Sequence, residues 1–391
     1  MTGRRTAPGA GGPLVADPGE FGGAHCETAA LRKQLLTHGV DISEPLLLGL
    51  GGGIGFWYQP AAPGGPSRSM TSTRNGPFPV FTTRMCRALG LELTVHRTDD
   101  PATARRRLHE ELAAGRPVIA YVDLFHLPWF QASRHFGGHA VVVFATDEET
   151  GTTWLSDRCP GPLAVDATTL ATARASGHHP FPPSHAWLSA DWAAARLPDA
   201  DGFRRAVHRC AQALTRPAPP NEGLAGLAAF AAELTRDIRT APADRVVDRL
   251  TAAHIDFEYA GTGGRGFRDL YRQFLTEARP WLDGPALTDA LAAADDARAA
   301  WAALDDLLVP DTGPAGRELR ATYRRRERYL RRGTTDSLRR AAGHTARLPE
   351  LRAAAADEVG PHRDRLAEET GAAFRHLLRT EHTLARALLR V

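Results

Sequence analysis

The chain is almost without lysine. Its basic residues, 48 in all, include one lysine, Lys33, and are otherwise arginine. With abundant Ala, Gly and Pro, this bias reads as a GC-rich coding sequence and not as a functional signal, because the arginines sit on helical stretches that also carry Asp and Glu. The net charge of +3 is too small to argue for nucleic acid or an anionic membrane as partner. Cysteine is scarce as well. Cys26, Cys86, Cys159 and Cys210 are widely spaced with no CxxC pair, which argues against a disulfide framework and a zinc site. No apolar run approaches membrane-spanning length, and the N-terminal stretch lacks the apolar segment of a secretory signal. A cytoplasmic protein with free thiols is the expectation. His126, His135, His178, His179 and His185 are scattered; they do not make HExxH, and no carboxylate stands at ligand spacing from them, so no metal site is expected. The glycine run from Gly49 to Gly55 fits neither GxGxxG nor GxxxxGK[ST], and no lysine follows it, so no bound cofactor is expected.

At 391 residues, 43% apolar and 24% charged, the chain can bury a substantial core, and two or three domains are the prior. Residues 1–21 have no periodicity and read as a disordered tail. A helix is expected from about Cys26 to His38, with Ala30, Leu31, Leu35 and Leu36 on one apolar face and Gly39 as its stop. The stretch Pro60 to Pro79 reads as loop. A helix near 81–89, a strand near 91–96, a helix opened by Asp100 or Thr103 and a strand at 117–121 follow. The best strand pair is His139–Thr146 with Thr152–Ser156, joined by a turn at 147–151. A helix is read at 166–176. Beyond about residue 198 strands nearly vanish, RPAPPN (216–221) is a linker, and 222–391 reads as about six helices with breaks near 241, 261, 280, 310 and 360.

Three residues carry chemistry when taken together. Cys26 opens its helix, where backbone N–H groups and the helix dipole favour negative charge and could hold an oxyanion. His139 begins one strand of the hairpin, and Asp157 ends the other. A turn centred near 148 places them opposite each other, so that Asp157 could orient the imidazole and His139 could take the Cys26 proton. Cysteine on a helix, then histidine and aspartate on neighbouring strands, is the papain-like order. Cys86, Cys159 and Cys210 are read as structural, with Cys159 the first alternative thiol. Gly51, Gly52 and Gly53 admit two readings: close backbone approach along an acyl-thioester arm beside the catalytic helix, or tight packing under it. Glu44 is read as a buried acceptor or a substrate contact. Phe125, Trp129, Phe130 and Phe136 are read as core or pocket wall.

These stretches resemble a known family. His25 to Tyr58 (HCETAALRKQLLTHGVDISEPLLLGLGGGIGFWY), Asp123 to Trp129 (DLFHLPW), His135 to Arg158 and Gly261 to Ala278 (GTGGRGFRDLYRQFLTEA) are similar to segments of the butirosin-biosynthesis protein H family. The resemblance implies an α+β fold: a papain-like domain akin to C39 bacteriocin-processing peptidases over 22–215, then a helical domain over 222–391 that shapes an acceptor pocket or a homodimer interface. It implies acyl transfer through Cys26, His139 and Asp157, from the phosphopantetheine thioester of an acyl carrier protein to a small-molecule amine. One departure stands out. Papain-like enzymes place a glutamine just before the cysteine as oxyanion donor, and Pro18-Gly19-Glu20-Phe21 offers none. Water or an internal nucleophile in place of the amine would make a thioesterase, peptidase or cyclase. A non-catalytic binding or scaffold protein is the remaining reading.

Overall fold

The computed structural model describes residues 22–60, 69–216, 219–309 and 311–391. The expected tail over 1–21 and part of the expected linker lie outside them. In chain order the first elements are α1 (Cys26–Thr37), α2 (Glu44–Leu50), β1 (Ile54–Gln59), β2 (Met70–Arg74), α3 (Val80–Ala88), β3 (Thr94–His96) and α4 (Pro101–Ala113). Then come β4 (Val118–Val122), β5 (His139–Asp147), β6 (Thr152–Ser156), β7 (Leu163–Asp166), α5 (Ala167–Ala175) and β8 (Trp187–Ser189). Helices α6 (Ala200–Thr215), α7 (Gly223–Thr240), α8 (Ala243–His254), α9 (Arg268–Glu277), α10 (Pro285–Leu308), α11 (Pro314–Arg332), α12 (Thr335–Val359) and α13 (Arg363–Leu388) complete the chain. An α+β region with an antiparallel sheet is thus followed by a mostly helical one.

The chain forms two compact units, each assembled from three segments. The first contains Met1–Glu44, Phe78–Leu197 and Arg325–Thr345; the second contains Pro45–Pro77, Pro198–Arg324 and Ala346–Val391. The sequence places one boundary between 215 and 222, whereas the chain crosses between the units five times. Sequence composition could not show this, because a helical segment is equally apolar whichever core it joins.

In the first unit a six-stranded antiparallel sheet runs β3-β8-β4-β5-β6-β7. Strand β5 is buried from His139 to Ala145 without alternation. Such a run marks a central strand covered on both faces, and α1 and α4 both pack on it. The apolar core joins Val118, Val141, Val143, Leu155 and Leu163 to Leu330 and Ala341 of the Arg325–Thr345 segment. Strands β7 and β8 were absent from the sequence reading, since four and three residues are too short to show a period. Asp100 caps α4, accepting from the Ala102 and Thr103 amides at 3.2 and 3.0 Å, with Pro101 in the first turn where its missing N–H costs nothing.

Helix α1 departs from the expected one-sided helix. It is buried on all sides from Cys26 to Leu35 apart from half-buried Arg32. Its polar residues point into the unit and are bonded there. Gln34 Nε2 donates to the Pro117 carbonyl at 3.0 Å, Glu27 accepts from Thr82 Oγ1 and the Tyr121 hydroxyl, and Lys33 Nζ donates to Ser156 Oγ at 3.0 Å. Polar residues at helical spacing mark a solvent face only if no polar group awaits them inside.

The second unit pairs β1 and β2 as an antiparallel ribbon, so part of the stretch read as loop is strand; residues 61–68 of it lie outside the described residues. Its core gathers Phe56, Phe230, Phe257, Trp301 and Phe374. Arg268 and Glu381, both fully buried, form a two-pronged pair at 2.8 and 2.7 Å, and the Trp301 indole N–H donates to the same carboxylate at 2.7 Å. Seven helices follow residue 222 among the described residues, one more than expected. The unforeseen break is at Gly333, whose φ of +66° suits glycine. No described helix is long and apolar enough to cross a membrane.

The glycine run ends α2. The amides of Gly51 and Gly53 close onto the Leu47 and Leu48 carbonyls, both at 3.0 Å. Gly53 has φ +65°, and a Cβ there would lie 2.4 Å from the ring of Tyr271 and 3.3 Å from Cys210 Sγ. Tyr271 has no exposed surface, so the ring has nowhere to move. Gly53→Ala is expected to destabilise the protein by about 1–3 kcal/mol, read as a lowered midpoint in urea unfolding; an unchanged midpoint would refute the packing argument.

Candidate active site

Cys26 is the first residue of α1. His25, ahead of it, is extended and offers no side-chain cap, so the opening turn of the helix is not closed off by its own cap residue. The segment leading in is clamped from two sides. The Gly23 amide donates to the Arg158 carbonyl at 2.6 Å. Glu44 accepts from the Ala24 and His25 amides at 2.9 and 3.2 Å and from Thr28 Oγ1 at 2.8 Å. Gly23 has to be glycine: a Cβ would fall 2.3 Å from that of Ala29. From the second turn of α1, Lys33 donates to the Asp157 carbonyl as well as to Ser156 Oγ. The helix bearing the thiol is therefore tied to the exit of β6, where Asp157 lies.

His139 and Asp157 are both buried. The imidazole Nε2 donates to both carboxylate oxygens at 3.0 Å. Asp157 also accepts from the Arg158 amide at 2.7 Å and the Trp129 indole N–H at 3.1 Å. With Nε2 engaged, Nδ1 is the nitrogen left for the thiol, and Cys26 is near enough to the ring to help raise its pKa. Phe130 meets the imidazole edge-on, centroids 5.1 Å apart at 86°. These contacts fix the plane of the ring and its tautomer.

Burial works against charge on His139, but the Asp157 charge and hydrogen bond, then those of Cys26, outweigh it and raise its pKa to about 9. Burial likewise raises Asp157, and the His139 charge and hydrogen bond with the Arg158 charge and amide overcome it, holding the carboxyl well below its usual range. The remaining thiols behave differently. Burial pushes Cys86, Cys159 and Cys210 up to about 12, with the Asp157 charge adding to the effect at Cys159. All four cysteines are free.

The route by which His139 meets Asp157 is not the one the turn predicts. Opposed residues would sum to 296 for a turn centred near 148. The observed pairs are Asp147 with Thr152 and, beyond an irregularity between Val143 and Ala145, Val143 with Leu155 and Val142 with Ser156. Continued by one residue, that register sets Asp157 opposite Val141, so His139 reaches it diagonally on the same face, a separation long side chains span. The strands turn between Glu149 and Thr150, later than the turn expected near 148, and the irregularity then shifts the pairing by one residue, which a turn length cannot reveal.

Other expected residues fall elsewhere. Gly51, Gly52 and Gly53 belong to the second unit, and the close approach at Gly49 and Gly53 is to the rings of Phe274 and Tyr271, not to the catalytic helix as the sequence reading had it. Glu44 is a buried acceptor for the helix entry. Pro18 to Phe21, where the oxyanion glutamine is lacking, lies outside the described residues. The histidine spacing argument missed one cluster. Asp123, His126 and His135 bring ligand atoms within 4.8 Å of one another, the one grouping among the described residues that could hold a metal. The Asp123 carboxylate already takes four donors, from the Phe125 and Phe136 amides, His135 Nδ1 and Ser176 Oγ. That saturation suits a clasp for the β4–β5 connection, which delivers Trp129 and Phe130. Trp129 and Phe130, read as core or pocket wall, are buried and line a pocket, but their contacts with Asp157 and His139 and the role of Lys33 were not read from sequence; a single lysine in an arginine-rich chain was the available signal for the last.

The charged pair makes stability depend on pH. A histidine whose pKa rises from 6.5 to about 9 on folding contributes stability that is fully present below pH 6.5 and lost as pH rises through about 9. An aspartate depressed from 3.8 contributes above that value and loses its effect as pH falls below it. The stability advantage of the wild type over Asp157→Asn is therefore expected to be greatest between pH 3.8 and 6.5 and to shrink towards pH 9 and above. Urea unfolding of both proteins across this range checks it, and a difference that is flat with pH contradicts the ion pair.

Residues 25–158 match the family model described as butirosin biosynthesis protein H, N-terminal, and residues 168–316 match one described as a domain of unknown function, DUF4872. The first match begins one residue before Cys26 and ends one residue after Asp157. No curated protein matches the chain. The chain thus carries a butirosin biosynthesis protein H N-terminal domain at 25–158, followed by a DUF4872 domain at 168–316.

Proposed function

We propose that the protein is a cysteine-dependent acyltransferase whose first unit is papain-like. The observation that carries the reading is the buried His139–Asp157 pair, with His139 on a strand against which the helix opened by Cys26 packs. Donor and acceptor come from the likeness to a family named for butirosin biosynthesis. The donor is the phosphopantetheine thioester of an acyl carrier protein, and the acceptor is an amine in natural-product assembly. A cytoplasmic setting suits four free thiols.

On this reading the transfer runs in two halves. Cys26 sulfur attacks the thioester carbonyl while its proton passes to His139. The carbonyl oxygen gains charge that amides at the start of α1 are placed to receive. The old C–S bond breaks, His139 returns a proton to the departing pantetheine thiol, and a new thioester remains on Cys26. The amine then attacks, His139 takes its proton, the second C–S bond breaks, and an amide is released with the Cys26 thiol restored. Asp157 holds the imidazole throughout and stabilises its charged form. A thioester is already activated, so this chemistry demands less of an oxyanion donor than peptide cleavage does, which favours transfer over the peptidase alternative. A thioesterase or cyclase would share the acyl-enzyme and differ only in the product. A non-catalytic scaffold would form none.

Incubation with acyl-pantetheine or acyl-carrier donors is expected to add one acyl mass to the wild type, localised to Cys26 by peptide mapping, and nothing to Cys26→Ala. Asp157→Asn is expected to slow acylation by roughly 10²–10⁴. Iodoacetamide at neutral pH should modify Cys26 before Cys86, Cys159 or Cys210, whose thiols burial holds protonated. Full turnover by Cys26→Ala, or no adduct with any of a panel of thioesters, would sink the proposal.

A further inference from the structure

The first unit ends in a helical hairpin, residues 325–345, formed by the end of α11 and the start of α12. Seven of its residues are arginine (325, 326, 328, 331, 332, 339 and 340) and two are acidic, Glu327 and Asp336, a net of +5 in 21 residues. The rest of the chain then holds 41 basic residues against 43 acidic ones, a net of −2. The positive charge of this protein is thus a local property of the hairpin. Arg328, Arg331, Arg332, Arg339 and Arg340 are exposed, and Asp336 is the exposed acid among them. Among the exposed arginines, Arg340 pairs with Asp336 at 2.8 Å and Arg331 with buried Glu327 at 3.3 Å, an acid that Arg158 also approaches at 3.8 Å. Arg332 and Arg340 both lie over the Tyr329 ring, at 5.8 and 6.0 Å, which gathers them on one side of the hairpin.

The hairpin also borders the proposed catalytic residues. Leu330 and Ala341 pack in the core with Trp129, Phe130 and Cys159. Arg326 donates to the Phe130 carbonyl at 2.7 Å, and Phe130 is the ring set against His139. Leu330 and Arg331 line a pocket whose wall includes Trp129, Asp157 and Arg158.

We propose that this hairpin is the docking surface for the acidic carrier protein that delivers the thioester, a step that rests on the acyl-transfer reading above. Exposed arginines on one short element suit a partner with a negative surface and a phosphodiester-linked arm, because the guanidinium fork binds carboxylates and phosphates with two parallel hydrogen bonds. Such a patch raises encounter rates and fixes orientation. A nucleic acid needs a longer basic track, and the remaining chain is weakly acidic.

The test uses the full-length protein, a fluorescently labelled phosphopantetheinylated carrier protein, and the charge-reversed variant Arg328→Glu/Arg332→Glu/Arg339→Glu, with its fold checked by circular dichroism. A second variant, Arg105→Glu/Arg106→Glu, reverses exposed arginines on α4 and controls for net charge. The hairpin variant is expected to bind the carrier protein at least about tenfold more weakly by anisotropy and with a shallower salt dependence. It should lose a similar factor in acylation of Cys26 by the acyl-carrier donor while reacting normally with acyl-pantetheine. Equal binding by wild type and hairpin variant, an equal loss in the α4 variant, or a preference for a short nucleic-acid duplex over the carrier protein would overturn the proposal. If the wild type accepts acyl-pantetheine but does not bind the carrier protein at low salt, the docking surface fails and the transfer reading stands. If it binds through the arginines yet takes acyl from neither donor, the transfer reading fails and the docking surface stands.

Discussion

The bond from the Gly23 amide to the Arg158 carbonyl is the closure on which the site depends. It joins the backbone just ahead of the thiol to the backbone just past the carboxylate, two points far apart in sequence. Lys33 makes the same connection from the second turn of α1, from its ammonium to the Asp157 carbonyl and Ser156. Glu44 holds the other side of the helix entry. A helix buried on every side cannot tilt without breaking these bonds, so the distance from sulfur to imidazole is set by the fold and not by a flexible side chain.

Burial disfavours charge at the other three thiols as at His139 and Asp157, and partners decide the outcome. Cys86, Cys159 and Cys210 have no partner able to compensate the loss of water around a thiolate, and their pKa values rise. His139 and Asp157 are as deeply buried, yet each compensates the other, and the charged forms of both are favoured. The connection carrying Trp129 and Phe130 contributes by occupying the space around them: an indole N–H on the carboxylate, a ring edge on the imidazole. The basic hairpin packs behind the same aromatics, so the proposed site and the proposed docking surface share one wall of the first unit.

Much of this was legible in the residues. The α1 boundaries, the β5 and β6 strands, the Asp100 cap and the helical character of the second half follow from periodicity, β-branching and capping chemistry, all of which are local. Cys26, His139 and Asp157 were legible as a set because a helix start and two strand ends bring them together in any fold with that order. Their register was not, since the turn lies later than 148 and an irregularity in mid-strand leaves no mark in composition. Glu44 and the glycine run were ambiguous for a related reason: a buried acid or a tight turn looks the same in sequence whether it faces a substrate, a helix entry or an aromatic ring.

By itself, then, the sequence determined which residues could do chemistry and what local structure they occupy, because propensity and hydrogen-bond inventory belong to each residue and its neighbours. Tertiary structure alone decided what they do it with. It placed the polar face of α1 indoors, assigned Gly49 and Gly53 to the rings of Phe274 and Tyr271, and drew residues 325–345 from a helical region into the unit that holds the thiol. Those outcomes are set by which surfaces bury one another, a long-range competition that no window of sequence contains.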